Sequence, residues 1–230
     1  MGRLLNMQLS WPATILDRLR RLFEAHWHRV GGGRYFVDTA GTQVEVHFRM
    51  WFAQKILRRN ADAYWPVHPA TRVRGARFTV IGVETSPGWS TGCEIDGRGG
   101  LYIGDYTQIA PNVRLLSLPD GAEAPAAPID FATKIGRHCL IAMNATVGAG
   151  VRLGDFTIVG AGAVVADSFP EGYCVVAGNP ARIVKRLDPA ACEHWQRPNA
   201  YVGYTPLARI GVLRDRKIDP ALFDRIWGAA

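Results

Sequence analysis

Residues 135–170 read IGRHCL-IAMNAT-VGAGVR-LGDFTI-VGAGAV-VADSFP, six hexads in unbroken register, led by Ile135, Ile141, Val147, Leu153, Val159 and Val165. Upstream, IGDYTQ-IAPNVR-LLSLPD over 103–120 has the same form, led by Ile103, Ile109 and Leu115. The second position of a hexad is usually Gly or Ala. A helix would repeat its apolar residues at about 3.6 or 7 positions, so a period of six excludes it. Each hexad instead supplies one short strand and one turn. Three hexads close a triangular coil, with the leading aliphatics stacked inside and the small second residues expected at the sharp bends. The stretch predicts a parallel β-helix.

Working outward, Leu115 and Ile135 are 20 positions apart, two more than three hexads, so a loop is inserted over 116–134. Weaker traces of the pattern occur at Val67, Val73 and Ile81-Gly82. Beyond the last hexad, Pro170, Pro180 and a C-terminal tail fit a cap over edge strands that would otherwise be open. Residues 14–29 (TILDRLRRLFEAHWHR) read as a basic amphipathic helix whose apolar stripe packs on the protein or lies on an anionic membrane. After Gly31-Gly32-Gly33, RYFVDTAGTQVEV reads as a hairpin turning at Thr39–Thr42. VHFRMWFAQKILRRN reads as a second helix, with Phe48, Trp51, Phe52 and Ile56 on its stripe and Arg58-Arg59 at its end. The expected class is therefore mainly β. A helical and hairpin appendage covers 1–64, the β-helix 65–187, and a helical tail 188–230.

Composition narrows the function classes. At 48% apolar and 20% charged residues over 230 positions, the chain is neither disordered nor fibrous. The 27 basic against 20 acidic residues give a net charge of +7, which suits an anionic partner without choosing one. The arginines are scattered, without an aromatic-lined groove, so no nucleic acid is expected. Cys93, Cys139, Cys174 and Cys192 form no CxxC, and no HxxxH, HxH or His–carboxylate cluster points to a metal. Free packing thiols and the absence of a signal-peptide pattern favour the cytoplasm. The triple glycine is followed by no GK[ST] and lacks a dinucleotide-loop context.

The motifs WPVHP (65–69), SPGWSTGC (86–93), GGLYIGDYTQIAPNV (99–113) and GDFTIVGAGAVVADSFPEGYCVVAGNPARIVKRL (154–187), on the hexad background, resemble the hexapeptide-repeat acyltransferases. Within that family they are similar to the branch that O-acetylates sugars of capsule, exopolysaccharide or O-antigen. The resemblance covers residues 65–188. It implies a left-handed parallel β-helix, an exception to the usual crossover hand. It also implies a homotrimer with active sites between subunits, acetyl-CoA as donor, and a saccharide acceptor, free or lipid-linked. Carried over residue by residue, CoA contacts fall on Met143, Ala161, Ala166, Arg182 and Lys185, the last two beside the nucleotide phosphates.

The family's general base is a His on the inserted loop, and here the chain departs from the pattern. Ser117-Leu118-Pro119-Asp120-Gly121 puts Asp120 at the aligned position, and 116–134 contains no His. An ordinary Asp, with pKa near 3.9, accepts a proton from an alcohol only when burial raises it. Pro119-Asp120-Gly121 is equally a turn tripeptide. His138, fourth in its hexad and expected to face outward, is the other candidate; its plain reading is an exposed or interface His. His47 and His68 read as structural, and His26, His28 and His194 lie outside the matched region. Asn112 and Asn144 fall where Asn tolerates unusual backbone angles. Two function classes follow: an O-acyltransferase on a saccharide, in the cytoplasm or at the inner face of the membrane, or a catalytically silent trimeric scaffold or ligand-binding partner.

Overall fold

The computed structural model describes residues 22, 34–42, 44–119, 121–126, 128, 130–197 and 200–228. Its body is a three-sided coil. Sheet A holds β1 (Arg72–Arg74), β3 (Glu94–Asp96), β6 (Arg114–Leu116), β9 (Thr146–Val147) and β12 (Val164–Val165) in that order. Sheet B holds β2 (Thr79–Ile81), β4 (Leu101–Ile103), β7 (Thr133–Ile135) and β10 (Arg152–Leu153). Sheet C holds β5 (Gln108–Ile109), β8 (Leu140–Ile141), β11 (Thr157–Val159), β13 (Cys174–Gly178) and β14 (Ala181–Arg186). The chain visits A, B and C in turn. Every pairing in these sheets is parallel except β13 with β14.

Register places the hexad leaders directly over one another. Sheet B aligns Ile81, Ile103, Ile135 and Leu153; sheet C aligns Ile109, Ile141, Val159 and Val176; sheet A aligns Val73, Ile95, Leu115, Val147 and Val165. The nine leaders read from the sequence are all buried. Full burial of one such side chain is worth about 1.5–3 kcal/mol, and three columns repeat it on every coil. Leu115 and Ile135 prove to be consecutive leaders, so 14 residues are inserted where one hexad step would take six, a longer insertion than the hexad arithmetic allowed. Ile95 escaped the pattern because the first coils carry extra residues: Ile81 and Ile103 are 22 positions apart, Ile135 and Leu153 only 18.

The bends sit elsewhere than expected. Left-handed backbone falls on the fourth hexad residue, at Tyr106, Asn112, His138, Asn144, Gly150, Phe156 and Gly162, a period of six within each run. The second-position glycines have another purpose. A Cβ on Gly104 would lie 2.7 Å from the Gly136 carbonyl carbon, and one on Gly136 would lie 2.6 Å from the Asp155 nitrogen, so adjacent coils could not close.

The flanking segments depart further. Arg34–Asp38 is a helix, α1, where the sequence suggested the first strand of a hairpin. Tertiary aromatic packing overrides the local β preference: Tyr35 meets Tyr204 edge-on at 5.2 Å and Phe36 meets Trp51 at 6.2 Å. The second helix, α2 (Phe48–Lys55), stops before Arg58-Arg59; of the expected stripe it buries Trp51, half-buries Phe48 and Phe52 and leaves Ile56 exposed, and it buries Met50, Ala53 and Gln54 as well. Gln54 decides this, because its amide donates to the carbonyls of Asn60, Ala63 and Trp65 and ties the following loop to the helix. The amphipathic segment 14–29 lies outside the described residues, apart from Leu22.

Past β14 the chain does not stay at the last coil as a cap. The β13–β14 hairpin extends sheet C, and the tail runs back to the first coils. The Arg197 N–H donates to the Tyr106 hydroxyl, the strands β15 (Tyr201–Val202) and β16 (Thr205–Pro206) pair beside Glu84, and the Tyr204 hydroxyl donates to Gln54. Helix α3 (Pro220–Trp227), capped by the Asp219 side chain, buries Leu222 and Phe223 in a second core with Trp65, Val80 and Phe131.

Candidate functional site

Of the five expected donor contacts, Met143, Ala161 and Arg182 are linked along one edge. Met143 and Ala161 hold the third hexad position at the corner between sheets C and A on successive coils, joined through the Gly162 N–H donating to the Met143 carbonyl at 2.9 Å. Both are exposed. Next along the coil, a Cβ on Gly160 would touch that of Ala177, and Ala177 pairs with Arg182 on β14. Arg182 reaches over the coil end to Asp167, with Nη1 to Oδ2 at 2.7 Å, directly after the exposed Ala166. Lys185 lies three residues farther along β14, opposite Val175. The arrangement is an open corner with a guanidinium at one end. Both members of the Arg182–Asp167 pair are more than 60% exposed, so the pair adds little stability.

Of the two base candidates, only His138 lies within the described residues, and it is not at this edge. Asp120 lies outside the described residues. The root of its loop is firmly tied: the buried Ser117 hydroxyl accepts the Gly99 N–H at 2.8 Å, and the Thr133 hydroxyl donates to the Leu116 carbonyl. Asp130 pairs with Lys134 at 3.0 Å and Arg225 at 3.6 Å.

His138 stands at the corner between sheets B and C, inside a ladder of rings. Tyr106, His138, Phe156 and Tyr173 stack with centroids 5.2, 4.8 and 5.2 Å apart, and all four have left-handed backbone. A left-handed conformation costs about 1–2 kcal/mol per ordinary residue, and each ring pair returns about 0.5–1.5 kcal/mol beyond burial. His194 of the returning tail covers the ladder edge-on, 5.5 Å from His138 and 4.8 Å from Phe156. Burial, then the neighbouring His194, holds the His138 pKa below its usual value against the pull of Asp105 and Asp155. In this structure the His138 ring is half-buried and packed between Tyr106 and Phe156.

Other residues expected to be structural behave so. His47 is the N-cap residue of α2 and packs on Trp89, and the His68 ring accepts the Ala70 N–H. Cys93, Cys139 and Cys174 are buried with their thiol pKa values pushed up by desolvation, that of Cys139 to about 12. Among the described residues no three His, Cys, Asp or Glu side chains cluster as metal ligands, and no helix is long and apolar enough to cross a membrane.

The hexad pattern gave no hint of Glu84. It is buried, has a left-handed φ of 51°, and its pKa is raised by desolvation against the opposing pull of Arg197, 3.7 Å away. With Ser86, Trp89 and Gln108 it lines a cavity of about 320 Å3 over β5.

Comparison with known proteins matches the same coils. Residues 132–167 match the bacterial transferase hexapeptide family (six repeats). Over 96 residues the chain is 32% identical to the galactoside O-acetyltransferase of Escherichia coli K12, covering 38% of this chain and 45% of that one. Over 49 residues it is 47% identical to a 2,3,4,5-tetrahydropyridine-2,6-dicarboxylate N-acetyltransferase of Clostridium perfringens, covering 21% of this chain and 20% of the relative. The chain thus spans less than half the length of these curated relatives. Among solved structures, a maltose O-acetyltransferase from Clostridium difficile 630 superposes with a TM-score of 0.47 and 20% identity, covering 76% of this chain and 89% of that one. The coils that carry Met143 and Ala161 thus match a bacterial transferase hexapeptide repeat, and over part of its length the chain is similar to acetyltransferases.

Proposed function

We propose that this chain transfers an acetyl group from acetyl-CoA to a saccharide hydroxyl in the synthesis of capsule, exopolysaccharide or O-antigen. The observation that carries the reading is the 32% identity to a galactoside O-acetyltransferase over 96 residues. The exposed column of Met143 and Ala161, ending at Arg182, supports it, because it offers an extended surface with a cation for a nucleotide phosphate. In the transfer the sugar oxygen attacks the thioester carbonyl, a C–O bond forms and the C–S bond breaks. The hydroxyl proton passes to the base, which we assign to Asp120, and CoA leaves as the thiol. The resemblance further supports a left-handed coil and a homotrimer with the site between subunits, working where CoA is available at the cytoplasmic face of the membrane.

One observation favours a second reading, a silent scaffold. No His lies between 116 and 134, and His138 is sandwiched between rings. Purified protein with acetyl-CoA and a panel of free and lipid-linked sugars separates the two by the release of free thiol. Acceptor-dependent release supports transfer, and release at the uncatalysed rate with every acceptor favours the scaffold. Light scattering tests assembly: a strict monomer at micromolar concentration removes the inter-subunit site.

A further inference from the structure

The first coil contributes strands to sheets A and B but none to sheet C, so β5 is the edge of that sheet. An uncovered edge strand exposes its backbone, and here residues 84–90 cover it with side chains instead. The Ser90 hydroxyl donates to the Ile109 carbonyl at 2.9 Å, and the Thr85 hydroxyl accepts the Thr107 N–H at 3.1 Å. Side-chain cover is looser than a strand. What it leaves is the 320 Å3 cavity, which Thr42 and Val44 also line.

That volume is at the lower end of small-molecule sites, which span roughly 300–1,000 Å3 and pair apolar walls with a few convergent polar groups. The Trp89 wall is fixed, its indole N–H donating to the Glu45 carbonyl at 2.7 Å and its ring against His47. Glu84 supplies a buried carboxylate, one oxygen receiving the Tyr201 N–H at 3.4 Å and the other 3.7 Å from Arg197. Its left-handed backbone is the sort of strain that folds keep at ligand sites. Exposed Gln108 adds an amide. The wall residue Ala110 is followed by Pro111, which holds the same third hexad position as Met143 and Ala161 on its own coil. The cavity therefore adjoins the donor corner.

We propose that this cavity is the acceptor subsite and takes one hexopyranose ring, with Trp89 as the wall for the ring's C–H face and Glu84 and Gln108 as partners for its hydroxyls. The choice of a sugar rests on the acyl-transfer reading above; the cavity and its polar groups do not.

The test is saturation-transfer NMR on the full chain with methyl β-D-galactopyranoside, methyl α-D-glucopyranoside and methyl α-D-mannopyranoside as probes, beside calorimetric CoA binding. At least one glycoside should receive saturation. Gln108→Ala, at an exposed position that cannot upset folding, and Glu84→Gln should each weaken it severalfold, and Trp89→Leu tenfold or more. CoA affinity should stay within twofold in all three. Glycoside binding that Gln108→Ala weakens, in a protein that releases no thiol from acetyl-CoA, supports the subsite and counts only against the transfer reading. No saturation of any glycoside by wild type, or saturation that both Gln108→Ala and Glu84→Gln leave unchanged, overturns the proposal.

Discussion

The imidazole of His138 lies almost parallel to the ring of Phe156, with centroids 4.8 Å apart and planes 8° apart. A ring in that setting is best uncharged, since protonation brings a charge into a half-buried stack beside His194 and Arg137. Burial, then these neighbours, lowers its pKa, so between the lowered folded value and the ordinary value near 6.5 the unfolded chain binds the extra proton. Stability from this group is complete above pH about 6.5 and is lost as pH falls below it. The melting temperature should drop between pH 7 and 5, and His138→Phe, which keeps the stack, should drop less. His68, lowered by desolvation and then Arg49, has the same sign and accounts for part of the remaining slope. Equal slopes in wild type and His138→Phe would refute the assignment.

Ile141 tests the columns. It is fully buried and in register with Ile109 and Val159. Ile141→Ala should cost about 2–5 kcal/mol, the transfer free energy plus a cavity that rigid coils cannot collapse. Val184→Ser, at a side chain 63% exposed, should change stability by less than about 0.5 kcal/mol. Urea midpoints measure both, and comparable losses would contradict the stacked-column account.

The sequence revealed what repeats and hid what does not. A leader such as Val147 is legible because its stack neighbour Val165 returns three hexads, 18 positions, later in the same pattern. Tyr106, His138 and Phe156 share a corner by the same rule, yet their stacking was not legible, because the period says where a residue sits and not which side chains touch. Ile95 and Glu84 fall in the first two coils, where extra residues blur the phase. The segment Arg34–Asp38 carries β-prone side chains, and what makes it helical is Tyr204, roughly 170 residues away in sequence. Contacts of that range, including the tail's return to Glu84, leave no local trace.

Two glycines should respond in opposite ways. Gly136 admits no Cβ without striking Asp155 and Gly154 backbone near 2.6 Å, so Gly136→Ala should destabilise by about 1–3 kcal/mol or prevent folding. Gly150 has a left-handed φ of 81° and open space around it. Gly150→Asn should therefore be close to neutral, because Asn tolerates that conformation as it does at Asn112 and Asn144. Thermal melts of the two variants decide it, and a well-folded Gly136→Ala would mean that the coils are farther apart than described.

Arg182 tests the donor corner. On the acyl-CoA reading, Arg182→Ala should weaken CoA by roughly 1–2 kcal/mol, the scale of one charge-assisted hydrogen bond, with a difference that shrinks as salt rises. Lys185→Ala should do the same to a similar degree. Stability should hardly change, since the Arg182–Asp167 pair is exposed. Calorimetric CoA affinity unchanged in the double variant would move the donor site off this corner.

Asp120 carries the last prediction, because the sequence puts a carboxylate where a base is needed. To accept the acceptor's proton at neutral pH it must be desolvated in the assembled site, which raises its pKa well above 3.9 and should appear as an acid limb in the pH–rate profile. Asp120→Asn should then cost two to four decades in turnover, the usual worth of a general base, with CoA affinity unchanged. His138→Ala should lower the melting temperature while leaving turnover within a small factor, since its ring is stacked between Tyr106 and Phe156 at the corner away from Met143. Wild type and Asp120→Asn equally inactive toward every acceptor, with transfer appearing in Asp120→His, would establish a silent site whose only missing part is the imidazole. Activity that survives Asp120→Asn and disappears in a folded His138→Ala would put the base on the coil, and the ring ladder would then have to open during turnover.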